Sequence, residues 1–187
     1  MKVDASRRRV SQELSGLKLS MIDRFDIMSE MKISKYQRLF GVGPAGFAIG
    51  IVLLFLLWIL GKKIGHAEIL INQKPILIAG ILLILLWGCW HAWCANAIKN
   101  WWRDGKLCTQ GPYRLVRHPI YAGAIFLASP GVALAFNSWT MLFCPVLMFP
   151  IWTGLVLKEE RMMASVFGAE YTNYATRTGR LFPKFWQ

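Results

Sequence analysis

Long apolar runs alternate along this chain with short, strongly basic polar stretches. Four windows hold no Asp, Glu, Lys or Arg: residues 42–60, 75–95, 120–136 and 139–157. At about 1.5 Å rise per residue, a helix built from each would cross most or all of a hydrocarbon core ~30 Å thick. Four such runs in 187 residues exceed what the buried helices of a soluble domain need. The pattern predicts an all-α integral membrane protein with about four transmembrane helices. The first run ends at Gly61-Lys62-Lys63, and a short loop leads to Pro75, a residue suited to the first turn of a helix. Runs three and four are separated by Asn137-Ser138 alone, which predicts a tight antiparallel hairpin. Asp104-Gly105 and Gly111-Pro112 punctuate the long connection between runs two and three.

No repeat or low-complexity linker divides the apolar part, so residues 41–187 read as one helical membrane domain. Residues 1–40 form a separate basic segment. It contains Arg7-Arg8-Arg9 and an amphipathic stretch over residues 21–40, suited to lying along an anionic lipid surface. The first apolar run starts too far into the chain for a cleavable signal peptide.

The net charge of +12 raises nucleic acid as a partner, and its distribution decides the matter. With four spans, both termini and the long middle loop share one side. That side holds nineteen of the 22 Lys and Arg, against Lys62, Lys63 and Lys74 on the other. The positive-inside rule places the richer side, and with it both termini, in the cytoplasm. The charge is topological, and no nucleic-acid partner is needed. Cys89, Cys94, Cys108 and Cys144 form no C-x-x-C pair, so neither a disulfide framework nor a metal site is expected. Trp87, Trp90, Trp93, Trp101 and Trp102 at the inner end of run two read as an interfacial belt. His91 among them reads as a packed histidine.

Chemistry concentrates just before run three, in Gly111-Pro112-Tyr113-Arg114-Leu115-Val116-Arg117-His118-Pro119-Ile120-Tyr121-Ala122-Gly123. Ionisable groups at the mouth of a span mark a functional site by default. Pro119 suits the first helical turn, leaving unpaired N–H groups and a positive dipole end near His118. With Arg114 and Arg117, that end favours a carboxylate or phosphate. The hairpin returns Lys158-Glu159-Glu160 to the same surface. A site with both signs suits a zwitterion that carries an extra cation, such as S-adenosylmethionine. An ion pair between Glu160 and Arg117 accounts for the same residues without a ligand. Beyond Glu160, residues 161–179 place Phe167, Tyr171 and Tyr174 at i, i+4, i+7 spacing. This predicts a cytosolic helical cap, followed by an irregular cationic and apolar tail.

Three separated motifs then occur in order. They are the G-P-Y-R-x-V-R-H-P-x-Y-x-G run, the Glu159-Glu160 pair, and F-G-x-E-Y-x-x-Y at residues 167–174 followed by R-T-G-R-L-F-P at 177–183. Together they resemble the integral-membrane methyltransferases, a group that includes isoprenylcysteine carboxyl methyltransferases and phospholipid N-methyltransferases. The likeness covers about half of the chain, from Trp87 to Pro183, and is greatest to compact prokaryotic relatives of the isoprenylcysteine enzyme. It implies S-adenosylmethionine as cofactor, with Arg117, His118, Pro119 and Tyr121 forming one wall of its site. Glu159 and Glu160 would form the carboxylate wall, and Leu181, Phe182 and Pro183 would enclose the adenosine. Glu160 and Arg177 would be the catalytic residues, Arg177 orienting an acceptor carboxylate.

The reaction so implied is isoprenylcysteine-type carboxyl O-methylation of an amphiphilic or lipid-linked acceptor at the cytosolic face of a prokaryotic inner membrane. Phospholipid N-methylation is an alternative, with Glu160 or His118 taking the proton. Against it, Gly88-Cys89-Trp90 stands where those enzymes carry G-x-G. A sterol-type reductase using NADPH and a non-enzymatic lipid-binding membrane adaptor are the further alternatives.

Overall fold

The computed structural model describes residues 41–65, 68–70, 72–103 and 106–184. The N-terminal segment expected over residues 1–40 lies outside them. The described residues are helical: α1 (Gly43–Ile64), α2 (Gln73–Arg103), α3 (Pro119–Ala135), α4 (Cys144–Phe167) and α5 (Ala169–Arg177). They include no β-sheet, and two isolated bridges pair Glu68 with Ser138 and Val116 with Gly179.

Among the described residues, three helices are long and apolar enough to cross a membrane: Gly43–Ile64, Gln73–Lys99 and Thr140–Phe167. The expected third span, α3, is shorter, at 17 residues. Its middle, Ala124–Ala128, widens into a π-turn, in which the Ser129 N–H reaches back to the Ala124 carbonyl. Pro130 explains the widening. It has no N–H to give to the turn behind it, and its ring would press on that turn's carbonyl. A wider turn also advances less per residue, so α3 is short for its sequence.

Tyr121, near the start of α3, stacks on Trp152 of α4 with ring centroids 4.2 Å apart. At the opposite end of the same pair, Asn137 and Ser138 make the turn between the two helices, which therefore run antiparallel. Asn137 also ties that turn to the α1–α2 connection. Its Oδ1 accepts from the Ile69 and Leu70 N–H groups, both at 3.1 Å, and its Nδ2 donates to the Leu70 carbonyl at 2.8 Å. Thr140 Oγ1 donates to the Leu57 carbonyl of α1 at 2.8 Å.

The main core lies between α1, α3 and α4, built from Leu57, Tyr121, Ile125, Met148, Trp152 and Val156, and it includes Leu181 of the tail. On α1 the buried positions are Gly43, Gly46, Gly50, Leu57 and Gly61. Small residues along one helical face let two backbones approach closely in a membrane. Gly46 carries this furthest, because a Cβ there would stand 2.4 Å from the Trp152 ring. A second, smaller core of Cys94, Cys108 and Tyr113 glues the loop after α2 to the inner end of that helix. Trp90 departs from the expected belt, since its Nε1 donates to the Pro119 carbonyl at 2.8 Å and ties α2 to the start of α3. Trp93 is exposed, as a belt residue would be.

Gly46→Leu should lower stability by about 1–3 kcal/mol through overpacking against Trp152. Gly154, whose Cβ position is open, provides the matched control. Thermal unfolding in mild detergent should show a drop for Gly46→Leu and none for Gly154→Leu. Equal midpoints would mean that α1 does not hold its place against α4.

Candidate functional site

At the end of the bundle away from Asn137, the chain reads into the site from three directions. The 3₁₀ turn Gly111–Arg114 and the two residues after it deliver Arg117 and His118 to the mouth of α3. The inner end of α4 delivers Glu159 and Glu160. The tail after α5 returns alongside residues 116–118: the Arg117 N–H donates to the Gly179 carbonyl at 2.8 Å, and the His118 N–H to the Arg180 carbonyl at 3.1 Å. The tail bends sharply here, and a Cβ on Gly179 would overlap the Phe182 carbonyl oxygen at 1.7 Å. Glycine is required by that approach.

Glu160 is the centre of this arrangement. Its Oε1 accepts from Arg117 Nε at 2.9 Å and lies 2.8 Å from Arg117 Nη2. Its Oε2 accepts from Arg180 Nε at 2.9 Å and Nη2 at 2.7 Å. In each contact two guanidinium nitrogens converge on one carboxylate oxygen, and every bond is charge-assisted. Arg117 spends its remaining Nη1 on the carbonyls of Ala175 and Thr178, fixing the end of α5. Donating to the Glu160 carboxylate raises the already high Arg180 pKa, so that guanidinium stays charged. His118 Nε2 stands 3.5 Å from Glu160 Oε1, beyond a good hydrogen bond, and has no other partner among the described residues.

Glu159 lies in different surroundings. It is half-buried, and its Oε2 accepts from Tyr121 Oη at 3.1 Å. No cation pairs with it among the described residues. Tyr121 lies between His118, 5.6 Å away and nearly parallel, and Trp152. The start of α1 closes this side, since a Cβ on Gly41 would stand 2.9 Å from Glu159 Oε2. Helix α5 is held by Tyr174, whose phenol donates to the Tyr113 carbonyl at 2.6 Å. Burial pushes the Tyr113 and Tyr174 phenols up, so both keep their protons.

The expected site residues thus fall into two groups. Arg117, His118, Pro119, Tyr121, Glu159 and Glu160 come together at one end of the bundle, with Pro119 buried and its carbonyl taken by Trp90. Leu181 is in the core, Pro183 is half-buried, and Phe182 is exposed with its ring edge-on to Phe126 at 5.2 Å. Arg177, by contrast, is exposed at the last position of α5, with no partner among the described residues. The arginine that reaches the carboxylates from the tail is Arg180, which sequence reasoning passed over although it lies in the same R-T-G-R motif. The ion pair of Glu160 with Arg117, which competed with a ligand contact in the sequence, is present.

A family model for phospholipid methyltransferases matches residues 75–170, half of the chain. The chain belongs to the phospholipid methyltransferase family. Among similar proteins, the cobalt-zinc-cadmium resistance protein CzcN of Cupriavidus metallidurans is 33% identical over 116 residues, covering 59% of this chain and 51% of CzcN. Methanethiol S-methyltransferase 1 of Bradyrhizobium diazoefficiens is 38% identical over 71 residues, 38% of this chain and 24% of that protein. A probable protein-S-isoprenylcysteine O-methyltransferase of Oryza sativa is 31% identical over 72 residues, 38% of each chain. The chain therefore spans about half the length of CzcN, and less of the two methyltransferases. No solved structure matches it significantly. With three long apolar helices, this member of a membrane methyltransferase family is an integral membrane protein.

Glu160→Gln should leave the Arg117 charge unpaired in a place where its side chain is 9% exposed. Breaking such a pair from one side costs about 3 kcal/mol or more. A lowered unfolding midpoint and faster proteolysis within residues 178–184 should follow, and neither should appear in Arg177→Ala. A Glu160→Gln protein as stable as wild type would remove Glu160 from the centre of the site.

Proposed function

We propose that the protein transfers a methyl group from S-adenosylmethionine to an amphiphilic acceptor at the membrane surface beside Glu159 and Glu160. The observation that carries this is the division between the two carboxylates. Glu160 is saturated by two arginines, while Glu159 keeps an oxygen without a described partner beside Tyr121. The residues present fit the cofactor. A ligand with an ammonium and a sulfonium needs a carboxylate that is not already neutralised, and Glu159 offers one. Its carboxylate needs donors, and the partnerless His118 Nε2 and the one-third exposed Arg180 are at hand.

When bound, S-adenosylmethionine supplies an electrophilic methyl group, so the protein's part is position, charge and exclusion of water. Glu159 would hold the cationic half of the cofactor, and Tyr121, donating to Glu159, would fix the carboxylate's orientation. Arg117 and Arg180 act through Glu160 to keep the tail closed over residues 117–118. Leu181, Phe182 and Pro183 would then bring the apolar side of the tail to the adenosine.

Isoprenylcysteine-type carboxyl O-methylation is the first acceptor reading, supported by the likeness to the Oryza sativa protein. Thiol S-methylation is the second, favoured by the 38% identical stretch shared with methanethiol S-methyltransferase 1 and by the exposed position of Arg177, away from Glu160. Family membership favours neither the reductase nor the adaptor alternative. The excess of Lys and Arg at this end supports a cytoplasmic site.

Isothermal titration should detect S-adenosylmethionine or its demethylated product, and no nicotinamide dinucleotide. At about 100 times its dissociation constant the ligand should add ~2.7 kcal/mol of stability. Glu159→Gln should weaken that binding about tenfold or more while leaving the unfolding midpoint of the free protein in place. Unchanged donor affinity in Glu159→Gln would sink the assignment, and absence of any donor binding would sink the reaction.

The acceptor is read separately, with labelled donor and a panel of S-farnesylcysteine, methanethiol and phosphatidylethanolamine. Transfer to S-farnesylcysteine that disappears in Arg177→Ala supports the carboxylate reading. Transfer to methanethiol, retained in Arg177→Ala, supports the thiol. Cysteines placed at positions 106 and 170 should label from the cytoplasm and those at 74 and 137 from outside, and the reverse pattern would invert the topology.

A further inference from the structure

The site uses few of the cations gathered around it. Glu160 takes Arg117 and Arg180, and Lys184 Nζ donates to the Thr176 carbonyl at 2.8 Å. Lys99, Lys106, Arg114, Lys158, Arg161 and Arg177 remain, all exposed and none paired with a carboxylate among the described residues. They cluster at one end of the bundle. Lys158 and Arg161 flank the Glu159-Glu160 pair, and Arg114 and Arg177 lie close to the Tyr113–Tyr174 hydrogen bond. Lys99 and Lys106 border the docking of Cys108 against Ala97.

These cations are interleaved with apolar side chains that are also exposed. Leu115, 48% exposed, follows Arg114, and Leu157, 38% exposed, precedes Lys158. A surface facing bulk water gains nothing from such neighbours. A surface at headgroup depth gains from both, the apolar groups entering the acyl boundary and the long basic side chains reaching the phosphates. The mixture fits lipid better than a soluble polyanion, which would meet the charges and leave the leucines in water.

We propose that this end of the protein carries a headgroup-binding rim that takes anionic phospholipids around the mouth of the site. Each lipid phosphate offers several acceptor oxygens, and more than one cation from different segments can share it. The rim would enrich anionic lipid in the ring of lipid touching the protein, and so set the surface charge through which any acceptor must pass.

The test uses the full chain in nanodiscs made from equal parts phosphatidylcholine and phosphatidylglycerol. Lipids retained on mild detergent extraction are counted by mass spectrometry. Phosphatidylglycerol should be enriched about threefold or more at low salt, and the enrichment should fade at about 0.5 M salt. The combined variant Lys106→Gln, Lys158→Gln, Arg161→Gln should lose most of the enrichment while keeping its helical content and unfolding midpoint. Should that variant fail to fold, the single substitution Lys158→Gln and the wild-type salt series carry the test. Equal retention of the two lipids by wild type overturns the proposal, as does unchanged enrichment in a folded variant. Displacement of the lipid by inorganic phosphate, but not by chloride at equal ionic strength, would make this a free-anion site and overturn it as well.

Discussion

One carboxylate holds the functional end of this molecule in shape. Glu160 receives a guanidinium from each of two segments that nothing else in the sequence obliges to meet: Arg117, ahead of α3, and Arg180, beyond α5. A buried charge is tolerated when it is paired and fully hydrogen-bonded, and both oxygens of Glu160 are. The backbone pairing of residues 117–118 with 179–180 runs beside this double contact, so each reinforces the other. Everything proposed for the site presupposes it. The freedom of Glu159 to meet a ligand depends on Glu160 absorbing the local arginines.

The apolar windows were legible because hydrocarbon leaves little choice: a run without charges over such a length becomes a helix with its backbone satisfied internally. The two-residue separation at Asn137-Ser138 was equally plain. The window over 120–136 matched the extent of α3, Pro119–Ala135, but it did not convey the π-turn inside it, because the absence of charge says nothing of how Pro130 shifts the backbone hydrogen bonds. Residues 161–179 were expected to begin as a helix, with no break marked at Gly168. The chain instead continues α4 to Phe167 and restarts after Gly168, where φ is 54°. The glycine in F-G-x-E-Y was the available sign.

Residue types indicated which side chains gather at this end of the bundle, and not how they pair. Arg117, His118 and the two glutamates were identifiable because charge at the mouth of an apolar run needs a reason. Which arginine of R-T-G-R faces inward was not identifiable, because it depends on where α5 ends. Arg177 closes the helix and points to solvent, and three residues later the tail has turned enough for Arg180 to reach back. The contribution of α1 was also hidden. Its buried glycines look, in sequence, like interruptions in a leucine-rich span, and their purpose appears once Trp152 and Tyr121 are seen against them.

The pairing of Val116 with Gly179 has a consequence for how the molecule is made. Helices α1 to α4 can each be inserted as they leave the ribosome, their backbones satisfied locally. The Arg117–Glu160–Arg180 cluster cannot, because Arg180 is synthesised some sixty positions after Arg117. Until residues 178–180 emerge, Arg117 and Glu160 lack the backbone segment that pairs with residues 116–118. The cluster around Glu160 is thus completed only after α4 has been made, and the chain passes through insertion of its apolar helices with that charged centre incomplete.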